Sequence, residues 1–241
     1  MTRYERPGAH AERNAPAGSG GSGGSAGPIG PIGPDFWTLL GPDFAGKSTL
    51  LGRLHDVHGW HVISYDDRYL DGYPLIRELR RNWVDDAFAW TGRRYSAELV
   101  LSVLHPIVLH LRDELARAAG RDRVIVDSYY YKLLAKCRLF GVDHPPLFDY
   151  WRSFGQPRGV LYLDLPPEDA WLRSGRGATL NAFEHHGTPA GRTGFVRLQS
   201  ELRTAVLAEV ERLPLTVIDA TEPPESVVAE VLACLGMAVA R

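Results

Sequence analysis

The eight residues Gly41-Pro42-Asp43-Phe44-Ala45-Gly46-Lys47-Ser48 constrain this chain more than any other stretch. They lie between an apolar run, residues 36–41, and a helical pattern, residues 47–58. A loop of this kind needs glycine where the backbone turns sharply and approaches what it wraps. Its amides point inward and the next helix adds its positive end, so the pair makes a cradle for phosphate. Lys47 is spaced to reach β- and γ-phosphates, and the Ser48 hydroxyl to ligate Mg²⁺. A chance glycine turn is the alternative, but the strand before and the helix after are the context that a phosphate loop requires.

From the loop onward, short apolar runs alternate with helical patterns. Strands are expected over residues 36–41, 61–66, 123–128, 159–165 and 215–220. Helices are expected over 47–58, 96–120, 129–140, 168–174, 195–213 and 225–235. Ser96 caps the long helix, a glycine ends it, and Pro106 is expected to kink it. β-branched runs separated by helices predict a parallel sheet covered on both faces.

Residues 1–34 are Gly-, Ser- and Pro-rich and have little to bury, so a disordered tail is expected there and a folded domain over 35–241. A net charge of −2 gives no electrostatic footprint for nucleic acid. Two distant cysteines suit a reducing compartment. The N-terminus lacks an apolar core of the signal-peptide kind, and residues 99–111 are too short and interrupted to span a bilayer. A cytoplasmic protein with no membrane partner is therefore expected.

Asp127 closes the run VIVD, where a second acid is wanted to position the metal; capping the next helix is its alternative role. Asp66 and Asp67 lie past the second strand, on the side of a parallel sheet where ligands bind. Asp66 is the candidate base for an acceptor hydroxyl, and Asp67 and Arg68 the candidate substrate contacts; a solvated Asp–Arg pair is the plainer reading. Arg173 and Arg176 flank Gly175 in a segment suited to closing over phosphates as a lid, about residues 173–191. Basic residues at an exposed helix end explain the same pattern more simply. Tyr129, Tyr130 and Tyr131 are expected beside Tyr95, Arg93 and Arg94; Tyr129 and Arg94 are taken as substrate-binding candidates and the others as packing. His185-His186 and His55/His58 have no third ligand at a sensible spacing and are expected at the surface.

In order and content these features resemble the thymidylate kinase-like branch of the P-loop nucleoside and nucleotide kinases. The resemblance spans residues 36–235 and rests on GPDFAGKST, the long helix leading into VIVDSYYY, VLYLDLPPEDAWLRSGRG, and the final VIDATEPPESVVAEVL. It implies a three-layer P-loop NTPase fold with a five-stranded sheet in the order 2-3-1-4-5. It also implies ATP and Mg²⁺, bound through Gly41, Asp43, Ala45, Gly46, Lys47, Ser48 and Thr49, with Ser48 and Asp127 at the metal. Adenine is expected near the lid arginines and residues 220–225, and Glu184 matches a recurrent acid. The chain departs from the pattern at Ser128, where an arginine is usual, at His105-Pro106 and at Phe44. SYDDRY looks more like the uridine-kinase type, in which an acid serves a hydroxyl acceptor.

The expectation is thus an ATP-dependent kinase of a nucleotide, nucleoside or similar small molecule, with an altered acceptor site. A hydroxyl kinase using Asp66 as base and a non-catalytic ATP-binding protein are the alternatives. A second copy of the chain is carried as a candidate partner.

Overall fold

Alternate residues of the central strands face two different cores, and this alternation organises the molecule. The computed structural model describes residues 35–187 and 189–236. The expected tail, residues 1–34, lies outside the described residues. The strands are β1 (Phe36–Leu40), β2 (His61–Ile63), β3 (Val124–Asp127), β4 (Gly159–Asp164) and β5 (Leu215–Asp219). All pair in parallel, in the order β2-β3-β1-β4-β5. Phe36, Leu40, Val124, Val126, Val160 and Tyr162 face one core; Leu39, Ile125, Leu161 and Leu163 face the other. A strand has period two, so each buried strand feeds both layers.

The helices are α1 (Lys47–Asp56), α2 (Pro74–Asn82), α3 (Ala97–Arg117), α4 (Tyr131–Leu139), α5 (Pro145–Arg152), α6 (Pro167–Arg173), α7 (Arg192–Glu209) and α8 (Pro224–Cys234). Residues of α3, α4 and α5 pack in the first core, and those of α1 and α8 in the second. Among the described residues no helix is long and apolar enough to cross a membrane.

The expected sheet and its order are both present. Two local expectations need correction. The second strand ends at Ile63, because Ser64 and Asp66 take the next backbone N–H groups into a turn. The helix after β3 starts at Tyr131, since Ser128 (φ 57°) and Tyr129 (φ 44°) are left-handed. α3 is helical on both sides of Pro106, and Ser96 caps it as expected, accepting from the Leu99 amide. The sequence reading also left α2, a π-helical stretch Trp83–Phe88 and α5 unassigned.

Candidate active site

The phosphate-loop pattern forms the turn its glycines demand, between β1 and α1. Gly41 (φ 148°) and Gly46 (φ 91°) take conformations that favour glycine, and Phe44 is left-handed too (φ 64°). Phe44 tilts against Phe195 of α7, with ring centroids 6.0 Å apart, so its place in the loop is fixed by packing. Lys47 folds its head back over the loop, donating to the carbonyls of Pro42 (2.8 Å) and Gly41 (3.3 Å). Burial and the nearby Lys132 charge push its ammonium down to about 7.

Asp43 is the centre of a cluster that sequence reasoning missed. Its carboxylate meets Lys132 at 2.8 Å and Lys136 at 2.8 Å, and accepts from the Gln199 amide at 2.9 Å. The Asp43 backbone N–H returns a bond to the Gln199 side-chain carbonyl. Burial alone would raise this carboxyl, but the charges of Lys132, Lys136 and Lys47 outweigh it and hold Asp43 well below the usual carboxylate range. Asp43 is expected to serve the bound nucleotide; in the structure it lines the cavity beside the loop, and its carboxylate is bonded to protein donors. Lys136 also donates to the Phe183 carbonyl at 2.8 Å and lies over the Phe183 ring.

Asp127 leaves the end of β3 beside the strained Ser128–Tyr129 turn, each residue of which costs about 1–3 kcal/mol. Its two carboxylate oxygens accept from the Ser64 and Ser128 hydroxyls, both at 2.9 Å. Asp127 and the exposed Ser48 line the same cavity. One oriented carboxylate and one hydroxyl, both hard oxygen donors, fit Mg²⁺, which keeps most of its shell as water and phosphate oxygen.

That cavity has a volume of about 400 Å³ and opens between the loop, the end of β2, the Trp83–Phe88 stretch, α3, α4 and the segment after α6. Its far wall is apolar and aromatic: Trp83, Phe183, Leu104, Ile107 and Leu133. Trp83 is fixed by a bond from its indole to the Val100 carbonyl (2.8 Å) and meets Phe183 edge to face at 4.7 Å. Asp66, Arg80, Asn181 and Glu184 supply polar edges. Burial and the Asp43 charge raise the Glu184 carboxyl. A second cavity, about 340 Å³ and mostly apolar, lies on the other side of the loop between Leu50, Leu163, Arg173, Ala220 and Val227.

The expected residues divide sharply. Lys47, Ser48, Thr49, Asp66, Asp127 and Arg173 line the main cavity, with Arg173 also hydrogen-bonded to the Ala220 carbonyl (2.7 Å). Gly46 and Ala45 join them; Gly41 lies beneath, supplying its carbonyl to both lysines. Five other expected residues fall outside the lining. Asp67 turns to Arg80 (3.3 Å) and Arg68 to Asp56 (2.5 Å). Arg94 lies over Trp90 and beside Asp86. Tyr129 is wholly buried against Phe36 and Tyr130. Tyr95 bonds Asp86, so the expected tyrosine–arginine group does not assemble. Arg176 is exposed at a left-handed turn, outside the cavity lining. His186 faces Glu201 at 2.9 Å, and His55 the Trp60 carbonyl at 3.2 Å.

A phosphate loop, an acid closing the neighbouring strand, and a sheet ordered 2-3-1-4-5 define the P-loop kinase fold. No protein-family model matches the chain, and no curated protein matches it. Solved structures do. A deoxyadenosine kinase from M. mycoides with bound dATP matches with a TM-score of 0.54 at 15% identity, over 83% of this chain and 98% of that one. A structure of the M. mycoides deoxyadenosine kinase with the products dCMP and a flexible dCDP matches with a TM-score of 0.58 at 14% identity, over the same shares. At such identity the likeness establishes the fold. These neighbours are nucleoside kinases, and the thymidylate kinase-like branch is a narrower reading than they support.

Proposed function

We propose that this chain is an ATP- and Mg²⁺-dependent kinase whose acceptor is a hydroxyl of a nucleoside-like molecule. One observation carries the reading: a single cavity with an aromatic and apolar wall exposes both Lys47 and Asp66. The donor half follows the phosphate loop, and the apolar second cavity beside Arg173 and Ala220 suits a purine base. The likeness to deoxyadenosine kinases supports a nucleoside in the acceptor half. Arg68, the acceptor-side arginine suited to hold a phosphate, is paired with Asp56, which favours the hydroxyl over the monophosphate.

In this reading Ser48 and the hydrogen-bonded Asp127 would hold Mg²⁺, which would supply neutralising charge at the phosphates. Lys47 leaves the loop carbonyls for the β- and γ-phosphates. Trp83 and Phe183 wall the acceptor against water. Asp66 takes the proton of the acceptor hydroxyl as its oxygen bonds to the γ-phosphorus and the bond to the β-bridging oxygen breaks, releasing ADP. Arg173 supplies charge to the transferring group from the lid side.

The test is Asp66→Asn, assayed by transfer of labelled phosphate from ATP to a panel of nucleosides and their monophosphates. Asparagine caps helices as aspartate does, so the turn at residue 66 survives and the base alone is lost. A positioned base contributes about 10²–10⁴-fold. The variant should lose that much on nucleosides, keep its binding of an ATP analogue, and lose the fall in rate toward acidic pH. A variant that retains both rate and acidic limb would assign the acceptor as a phosphate.

A further inference from the structure

The floor of the main cavity brings three lysine heads together. Lys47, Lys132 and Lys136 converge there, facing Asp43 and Asp127, with Glu184 in the same lining. Asp43 needs one cation and has two, with the Gln199 amide besides. Ammonium heads gathered inside a protein are costly until an anion answers them.

Lys132 is placed to meet that anion. Its side chain is 5% exposed, and its ammonium donates to the Gly41 carbonyl (3.0 Å) and to Asp43 Oδ1 (2.8 Å). An ammonium has three donors. The third meets the Lys47 amine beside it, on a cavity floor whose lining Lys132 shares with Lys47, Ser48 and Asp127. Lys47 donates to the same Gly41 oxygen, so the two amines crowd one acceptor, and an anion that draws Lys47 outward frees the Lys132 donor for that anion. Lys136 differs: its partners are Asp43 Oδ2, the Phe183 carbonyl and the Phe183 ring.

We propose that Lys132 is a second phosphate-binding cation of this site, engaging the terminal phosphate of a bound polyphosphate beside Lys47. Lys136 is a positioning residue that acts through Asp43. The inference rests on the phosphate-loop reading and is independent of the acceptor.

The experiment is calorimetric titration of the full chain with inorganic tripolyphosphate in Mg²⁺. Lys132→Met should bind it at least fivefold more weakly than the parent protein, and Lys136→Met should lose less. Lys132→Gln keeps donors for Gly41 and Asp43 without the charge, and serves where the methionine variant does not fold. A fivefold or greater loss in Lys132→Gln supports a charge-borne role; a smaller loss makes Lys132 a structural anchor and overturns the proposal. Equal losses at 132 and 136 overturn the division between them. A parent protein that binds no tripolyphosphate removes the phosphate-loop reading itself.

Discussion

Gly41 and Gly46 belong to one motif, yet alanine should damage them in different ways. At Gly41 the backbone has φ 148°, and an added Cβ would stand 2.7 Å from the Leu163 carbonyl oxygen and 3.1 Å from its Cβ. That carbonyl belongs to β4, which pairs with β1, so the neighbour cannot move aside cheaply. Forcing a side chain into such a conformation costs about 1–3 kcal/mol. Overpacking a rigid site adds about 1–3 kcal/mol. A total of about 4 kcal/mol lowers the melting temperature of a domain this size by roughly 8–16 °C. At Gly46 (φ 91°) a Cβ meets nothing within 4 Å. There the strain alone remains, about 1–2 kcal/mol, or roughly 2–8 °C. The open space at Gly46 is where the loop would take a phosphate, so Gly46→Ala should weaken tripolyphosphate by at least about tenfold, or 1.4 kcal/mol. Scanning calorimetry and titration of the two variants measure both quantities. Equal melting temperatures, or a more stable Gly41→Ala, would refute the argument from the Leu163 contact.

Lys47→Ala should abolish phosphoryl transfer while leaving the far-ultraviolet dichroism unchanged, since its head bonds loop carbonyls and the neighbouring Lys132 rather than a helix or strand backbone; a folded variant with normal turnover sinks the kinase reading. Arg173→Ala should lower kcat by about 10³-fold, as arginines that act on a transferring phosphate do, and more than Arg176→Ala, because Arg173 lines the cavity and Arg176 does not. A loss below tenfold in both moves the lid charge elsewhere. Asp43→Asn should be less stable than the parent above pH 4, with the gap closing in acid. The Asp43 carboxyl is held below its ordinary value of 3.8, so its stabilisation is complete above that value and is lost as pH falls through the lowered one. Urea unfolding between pH 2 and 6 checks this, and parallel curves would refute it.

The sheet was legible because its signal is local. Apolar runs of five or six residues, each followed by a helical pattern, leave few alternatives, and the phosphate loop pins one strand and one helix at once. Asp127 was legible for the same reason, as the last residue of such a run. The acceptor side was not. Arg68, Arg94 and Tyr129 were placed by proximity to strand ends in sequence, but their partners, Asp56, Trp90 and Phe36, are set by packing that no spacing encodes. Lys132 and Lys136 did carry a signal. They lie four apart on a helix in which every residue from Tyr131 to Cys137 is buried. A helix apolar all round must sit inside the protein, and two lysines on one face of it require a buried acid. The acid, Asp43, is 89 positions from the nearer lysine and belongs to a motif usually read only for its glycines and its Lys-Ser pair.

The Asp43 cluster also bears on the lid. The segment between α6 and α7 is tied to the body at Arg173, through the Ala220 carbonyl, at Phe183, through Lys136, and at His186, through Glu201. The middle tie is the strongest, for breaking it strips a buried ammonium of an acceptor. Phe183 and Glu184 thus keep their register with the phosphate loop, because Lys136 holds the Phe183 carbonyl and the Asp43 carboxylate together. The Phe183 wall of the cavity and the phosphate loop are thus joined through one ion cluster. Between the first two ties lie residues 174–182, with Gly175 and Gly177 at positive φ and Arg176 exposed. Leu180 and Ala182 pack on the two cores, and Asn181 is bonded to Phe183 and Glu184, so the end of that stretch is held with the ion cluster. If the lid expected over residues 173–191 closes, Arg176, outside the cavity as the structure stands, would matter to transfer only by being carried inward with it.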